Sequence, residues 1–186
     1  MTTRALAVLV AVALGGCVTH VPPAPPASGS SIHDLAALGD LAAAFDRDRA
    51  HPRLVLLLSP TCPVCVDGAR WVQREILDEH PDADLRVYAV WFDMVEGDER
   101  SAIDRGLLPD PRVMHFWDEG RRAGAWYGAW TRPADPAWVE WDAFFVYPRG
   151  ATWDRSAEQP RQWGRPVIAK REDLRAALLP LLHSRR

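Results

Sequence analysis

The sequence predicts an α/β fold, a central mixed β-sheet flanked by helices, and three patterns predict it. Val55–Leu58 is a short apolar run of strand length, and helical spacing takes over a few residues later, with Cys65, Ala69, Val72 and Ile76 on one face. Leu85–Phe92 (LRVYAVWF) is rich in β-formers and poor in polar groups, as a central strand requires. Ala143–Tyr147 is a further apolar strand, and Leu174, Ala177, Leu178, Leu181 and Leu182 then repeat with helical period. The order is β-α-β, an intervening stretch, then β-β-α.

The chain has 186 residues, enough for one domain with a substantial core. Its formal net charge is −3 and no basic stripe is present, which argues against nucleic acid as a partner. Three cysteines are too few for a disulfide-stapled scaffold.

Residues 1–17 (MTTRALAVLVAVALGGC) join Arg4 to an apolar run, Ala5–Leu14, that suits a signal peptide and is short for a bilayer span. The ending Leu14-Gly15-Gly16-Cys17 resembles the lipobox of bacterial lipoprotein precursors. The resemblance implies lipidation of Cys17 and a periplasm-facing chain anchored in the bacterial cell envelope. Val18 after the cysteine points to the outer membrane. The alternative, cleavage after Ala11-Val12-Ala13, would truncate the apolar run and leave Cys17 a free thiol. Residues 18–30 (VTHVPPAPPASGS) form a Pro-rich linker, which spans roughly 40 Å as extended polyproline II. Residues 31–186 read as one domain.

Within that domain, Gly39–Phe45 opens like a helix with Asp40 as N-cap. The helix after the first strand ends before Pro81. Asp98–Arg105 is a candidate helix and Arg112–Trp117 a candidate extended segment inside the long intervening stretch, roughly 94–140. Pro148-Arg149-Gly150 is a turn after which Ala151–Trp153 can return as an antiparallel partner. Pro180 is expected to kink or shorten the last helix. Six of the nine tryptophans lie between Trp117 and Trp153. An exposed aromatic cluster would suit a peptide or sugar surface, while a satellite core under the insertion is the plainer reading.

The chemistry-bearing feature is Cys62-Pro63-Val64-Cys65, at the junction of the first central strand and its helix. A thiolate is the attacking species in disulfide exchange, and a helix N-terminus favours it through unpaired N–H groups and the dipole. Pro63 suits the first helical position, where its missing N–H removes no bond. One turn later Cys65 returns beneath Cys62. Two core cysteines or a static disulfide are structural alternatives. Metal binding is the stronger rival, because two thiolates are half of a tetrahedral site. No second C-x-x-C or H-x-x-x-H completes it, and His115, beside Phe116 and Trp117, reads as packing or surface.

With C-P-V-C at that junction, the element order resembles the thioredoxin fold over roughly residues 40–93 and 138–183, with an insertion between the two halves. The resemblance implies that Cys62 is the exposed nucleophile and Cys65 the buried resolving thiol, supported by Thr61, Pro63 and Val64. It differs from copper-chaperone and peroxiredoxin relatives, whose cysteine spacing or P-x-x-x-T-x-x-C frame is absent. Three departures stand out. Thr61 occupies the place where many thioredoxins have Trp. Leu54–Leu58 lacks the buried acid many carry in that strand. The cis-proline before the third core strand is replaced by Asp142 in Trp141-Asp142-Ala143, with Pro136 as a more distant alternative. In the family that loop faces the cysteines, so Asp142 is expected within a few Å of a cysteine sulfur. A trans Trp141–Asp142 bond is expected, because a cis bond before a non-proline costs roughly 2.5–4 kcal/mol.

These readings predict a membrane-tethered, monomeric thiol–disulfide oxidoreductase that acts on a protein thiol or disulfide through Cys62, Cys65 and Asp142, with no cofactor and no resident metal. The alternatives are a Cu(I) or Zn(II) metallochaperone using the same cysteines, and a non-catalytic binding module.

Overall fold

The computed structural model describes residues 31–153 and 160–183; the signal-peptide pattern, Cys17 and the Pro-rich linker lie outside the described residues. Strand β2 (Arg53–Leu58) is buried at every position because both its edges and both its faces are covered. It pairs in parallel with β3 (Arg86–Trp91) and antiparallel with β5 (Ala143–Tyr147). Outside β3 lies β4 (Val113–Trp117), and outside β4 the short strand β1 (Ile32–Asp34), both parallel. β6 (Gln162–Gly164) closes the other side against β5. The six-stranded sheet has the order β1-β4-β3-β2-β5-β6.

Side-chain alternation divides the core by sheet face. Leu54, Leu56 and Leu58 pack with Cys65, Ala69 and Val72 of α2 (Pro63–Val72) and with Leu174 and Leu178 of α4 (Arg171–His183). Val55 and Leu57 pack with Leu41 and Phe45 of α1 (Leu38–Arg47) and with Ala123 and Tyr127 of α3 (Arg122–Thr131). The result is three layers, with the insertion supplying both a strand and a helix.

Several expectations are corrected. Asp40 is not the N-cap of α1: the helix begins at Leu38, and Asp40 lies one turn in, its carboxylate accepting the Ala37 N–H at 3.1 Å. Where one helix was expected over 98–105, two 3₁₀ turns form instead (Arg100–Ala102 and Arg105–Leu107), because Ile103 and Asp104 between them are extended. Ala151–Trp153 does not return along β5. The Trp153 N–H bonds Asp46 Oδ1 at 2.7 Å, and the Gly150 N–H bonds the Arg49 carbonyl, which pins this segment to the end of α1. The fully buried Arg53 reinforces this by donating to the Phe45, Pro148 and Ala151 carbonyls. The antiparallel partner is β6 instead. Pro180 does not end α4, which runs on to His183. The carbonyl that Pro180 leaves without its N–H belongs to the exposed Ala176, where water can bond it.

Trp126, Trp130, Trp153 and Trp163 pack, partly buried, against the sheet face that carries α1 and α3, whereas Trp117 belongs to the core on the opposite face. Trp126 stacks on Trp153 at 4.5 Å, and Trp163 stacks on Phe145 at 5.9 Å. His115 is packing too: its Nδ1 accepts the Trp91 Nε1–H and its Nε2 donates to the Leu108 carbonyl. Burial disfavours its charged form, against an opposing effect of that carbonyl.

The helix α3 is shaped by what crosses it. Residues 138–140 run directly over its backbone, and the Glu140 N–H bonds the Gly124 carbonyl at 2.9 Å. A Cβ at Gly128 would stand 2.1 Å from the Trp138 carbonyl oxygen, so only glycine admits this approach. The crossing segment leads into Asp142.

Candidate active site

The parallel register aligns Leu58, Trp91 and Trp117 at one edge of the sheet. Just beyond Leu58 the chain passes through Ser59-Pro60-Thr61 into α2. Cys62 is the N-cap, with extended backbone (φ −72°, ψ 116°), and Pro63 is the first helical residue. Cys65 follows one turn later and is completely buried. Both cysteines are free thiols. Cys62 is 7% exposed, so the expectation of an exposed nucleophile gives way to a nearly covered one. Its neighbour Val64 and the nearby-loop residue Val95 are the exposed large apolar side chains among the described residues.

Asp98, which the sequence placed at the start of a candidate helix and not in the site, organises this approach. The Asp98 carboxylate accepts five hydrogen bonds: from Ser59 Oγ, the Thr61 N–H and Oγ1, and the Met94 and Val95 N–H groups. It therefore joins the loop leaving β3 to the turn that precedes Cys62. Burial alone would raise its pKa. The bonds from Ser59, Met94, Val95 and Thr61 outweigh that and hold it at about 2. Asp98 follows Gly97, which takes positive φ (88°), and that Gly-Asp turn was its one sequence signal.

Asp142 arrives from the other side. Leu57 pairs with Ala143, so the next position places Asp142 opposite Leu58. Asp142 is 5% exposed and takes a left-handed conformation (φ 48°). The Trp141–Asp142 bond is trans; the cis bond among the described residues precedes Pro166. Asp142 Oδ1 accepts the Val167 N–H at 3.2 Å. Val167 in turn lies over Gly68 of α2, where a Cβ would come within 2.8 Å of it. Pro136 lies on an exposed part of the chain six residues earlier.

The electrostatics link Asp142 to Cys65. Burial pushes the Cys65 thiol far above its usual range, and the Asp142 charge and the Cys62 sulfur push it further, while the Ser59 backbone opposes. Burial also raises the Asp142 carboxyl. The Val167 N–H, the Arg165 charge and the Cys65 thiol each favour its ionised form. Among the described residues, no three His, Cys, Asp or Glu side chains converge as a metal site.

A C-x-x-C pair thus opens the helix after the central parallel strand, and the loop before the antiparallel strand faces it. The fold is thioredoxin-like. No family model matches the chain, and no curated protein does. Solved structures do. A thioredoxin-like protein in its oxidised form shares 19% identity, with 70% of this chain and 79% of that chain covered and a TM-score of 0.46. A putative protein disulfide isomerase from Bacteroides thetaiotaomicron shares 12%, covering 74% and 77%, with a TM-score of 0.48. A secreted Mycobacterium tuberculosis disulfide oxidoreductase shares 15%, covering 75% and 86%, with a TM-score of 0.40.

Proposed function

We propose that this chain is a thiol–disulfide oxidoreductase that exchanges disulfides with a protein substrate through Cys62 and Cys65, with Asp142 as proton acceptor and donor for Cys65. The observation that carries this reading is the buried Asp142 carboxylate beside the buried Cys65 thiol. A structural disulfide has no use for a proton acceptor, and a packing pair has no use for a buried carboxyl group, whose burial costs free energy.

In the reducing direction, Cys62 as thiolate attacks one sulfur of a substrate disulfide. A mixed disulfide forms and one substrate thiolate leaves. Cys65 then gives its proton to the Asp142 carboxylate, and its sulfur attacks Cys62. The Cys62–Cys65 disulfide forms and the second substrate sulfur departs as thiolate, taking up the proton from Asp142. Two electrons pass from the Cys62–Cys65 pair to the substrate. The oxidising direction is the reverse. Asp142 thus takes the place of the acid missing from β2.

The Leu14-Gly15-Gly16-Cys17 pattern supports a lipid anchor on Cys17, holding the domain at a bacterial envelope membrane through residues 18–30. Among the described residues no helix is long and apolar enough to cross a membrane.

The test is trapping. Cys65→Ser removes the resolving sulfur, so a mixed disulfide with the substrate accumulates on Cys62; Cys62→Ser abolishes it. A Cys65→Ser protein that captures no thiol partner, even from a synthetic disulfide peptide, contradicts the reading. Cys17→Ser releases the chain from the membrane pellet and abolishes fatty-acid labelling; retention of both rejects the anchor.

A further inference from the structure

Two buried carboxylates bracket Trp141, and one arginine serves both. Glu140 is completely buried, and the proton chemistry above leaves it without a role. Its Oε2 accepts from Thr131 Oγ1 at 2.7 Å and from Trp138 Nε1 at 3.2 Å. Its Oε1 faces Arg165 Nε at 3.0 Å. Arg165 Nε also reaches the Trp141 carbonyl at 3.3 Å, and the guanidinium lies 5.3 Å from the centre of the Trp138 ring.

A glutamine at position 140 could still accept from Thr131 and Trp138. It could not hold a cation. A buried carboxylate costs several kcal/mol unless paired, so a role confined to closing the loop is poorly served by glutamate. The ion pair fixes a positive charge against the backbone one residue before Asp142. That charge favours the ionised Asp142 carboxylate, and Cys65 and the Val167 N–H face the same group. The charged or titratable groups around Asp142 are therefore Arg165 and Cys65, with Cys62 behind Cys65 and Glu140 behind Arg165.

We propose that the Glu140–Arg165 ion pair is a positioning device for Asp142: it holds one cation near the carboxylate and keeps that carboxylate available as the proton acceptor of Cys65. The consequence for catalysis rests on the reading of Asp142 given above. The electrostatic coupling does not, and the two are tested apart.

The coupling is read by a ¹³C NMR titration of the Asp142 carboxyl in the reduced full-length chain. Arg165→Gln moves its midpoint to higher pH by about half a pH unit or more, because the carboxylate loses its nearby cation. Glu140→Gln leaves Arg165 charged but without the carboxylate that fixes it, and moves the midpoint the same way by less. Arg165→Lys keeps the charge and recovers most of the wild-type midpoint. If Glu140→Gln fails to fold, Arg165→Gln decides alone, since its side chain is partly exposed and its loss opens no core cavity. A folded Arg165→Gln protein with an unmoved midpoint overturns the proposal. The pH profile for resolution of the mixed disulfide is measured separately: a titration that shifts while this profile stays put leaves the coupling intact and rejects Asp142 as the proton acceptor.

Discussion

Asp142, at the foot of β5, stands against Cys65, in the first turn of α2, with opposite effects in the two directions. The carboxylate raises the proton affinity of the thiol, and the thiol favours the ionised carboxylate. Burial is the larger influence on both, so each group holds its proton more tightly than it would in water.

The two cysteines are therefore expected to differ in reactivity. After reduction, an alkylating reagent at neutral pH labels Cys62 well before Cys65, which is completely buried and holds its proton tightly. Mass spectrometry after a short exposure reads the order. Equal slow labelling of both positions contradicts it.

Asp142 makes the reduced protein sensitive to rising pH. Its folded pKa is raised, so its contribution to stability is greatest below about pH 3.9 and is lost as pH rises through the folded value. Asp142→Asn removes that loss and tolerates the left-handed backbone. Urea unfolding at pH 4 and pH 7 is predicted to show a smaller decline in the variant. It is also predicted to resolve mixed disulfides more slowly, for want of a proton acceptor.

Asp98 carries the opposite sign. With its pKa held at about 2, its contribution is present above about pH 3.9 and lost as pH falls through 2. The linked stabilisation is on the order of 1–2 kcal/mol once solvent screening is allowed for. Asp98→Ala frees five donors and is expected to destabilise by about 2–3 kcal/mol at neutral pH. Its stability then falls less steeply between about pH 4 and pH 2. A variant as stable as wild type would refute this role.

Restoring a proline at position 142 is predicted to harm the fold. Proline holds φ near −65°, whereas Asp142 has φ 48°. Asp142→Pro is expected to lower stability by about 2 kcal/mol or more. Gly128→Ala is expected to cost a similar amount, because its Cβ would meet the Trp138 carbonyl at 2.1 Å. Thermal unfolding of the two variants checks both.

The main elements of the halves around the insertion were legible in the sequence because each obeys one period; β6, only three residues long, was not, and its place was expected at Ala151–Trp153. β2, β3 and β5 are apolar runs, and α2 and α4 show helical stripes. In the insertion the extended segment at Arg112–Trp117 was legible and forms β4, but α3 was not, and neither was β1 at the start of the domain. In α3, Gly124 and Gly128 break the stripe because the 138–140 segment needs their bare backbone. β4 carries His115 in the core, where Trp91 and Leu108 satisfy it. β1 has only three residues and no pattern to read. In the site, Cys62, Cys65 and Asp142 could be named from motif and alignment. Asp98, Glu140 and Arg165 could not, because a charged side chain gives no sign in sequence of the distant groups that will bond it.

The reduction potential of the Cys62–Cys65 pair tests the central claim most directly. The chain is equilibrated in thiol–disulfide buffers of graded potential, and the disulfide fraction is read by mass after alkylation. The account predicts reversible, two-electron behaviour with a midpoint between about −270 and −120 mV. A midpoint below about −300 mV, as for a structural bridge, or no Cys62–Cys65 bond at any potential, would contradict it.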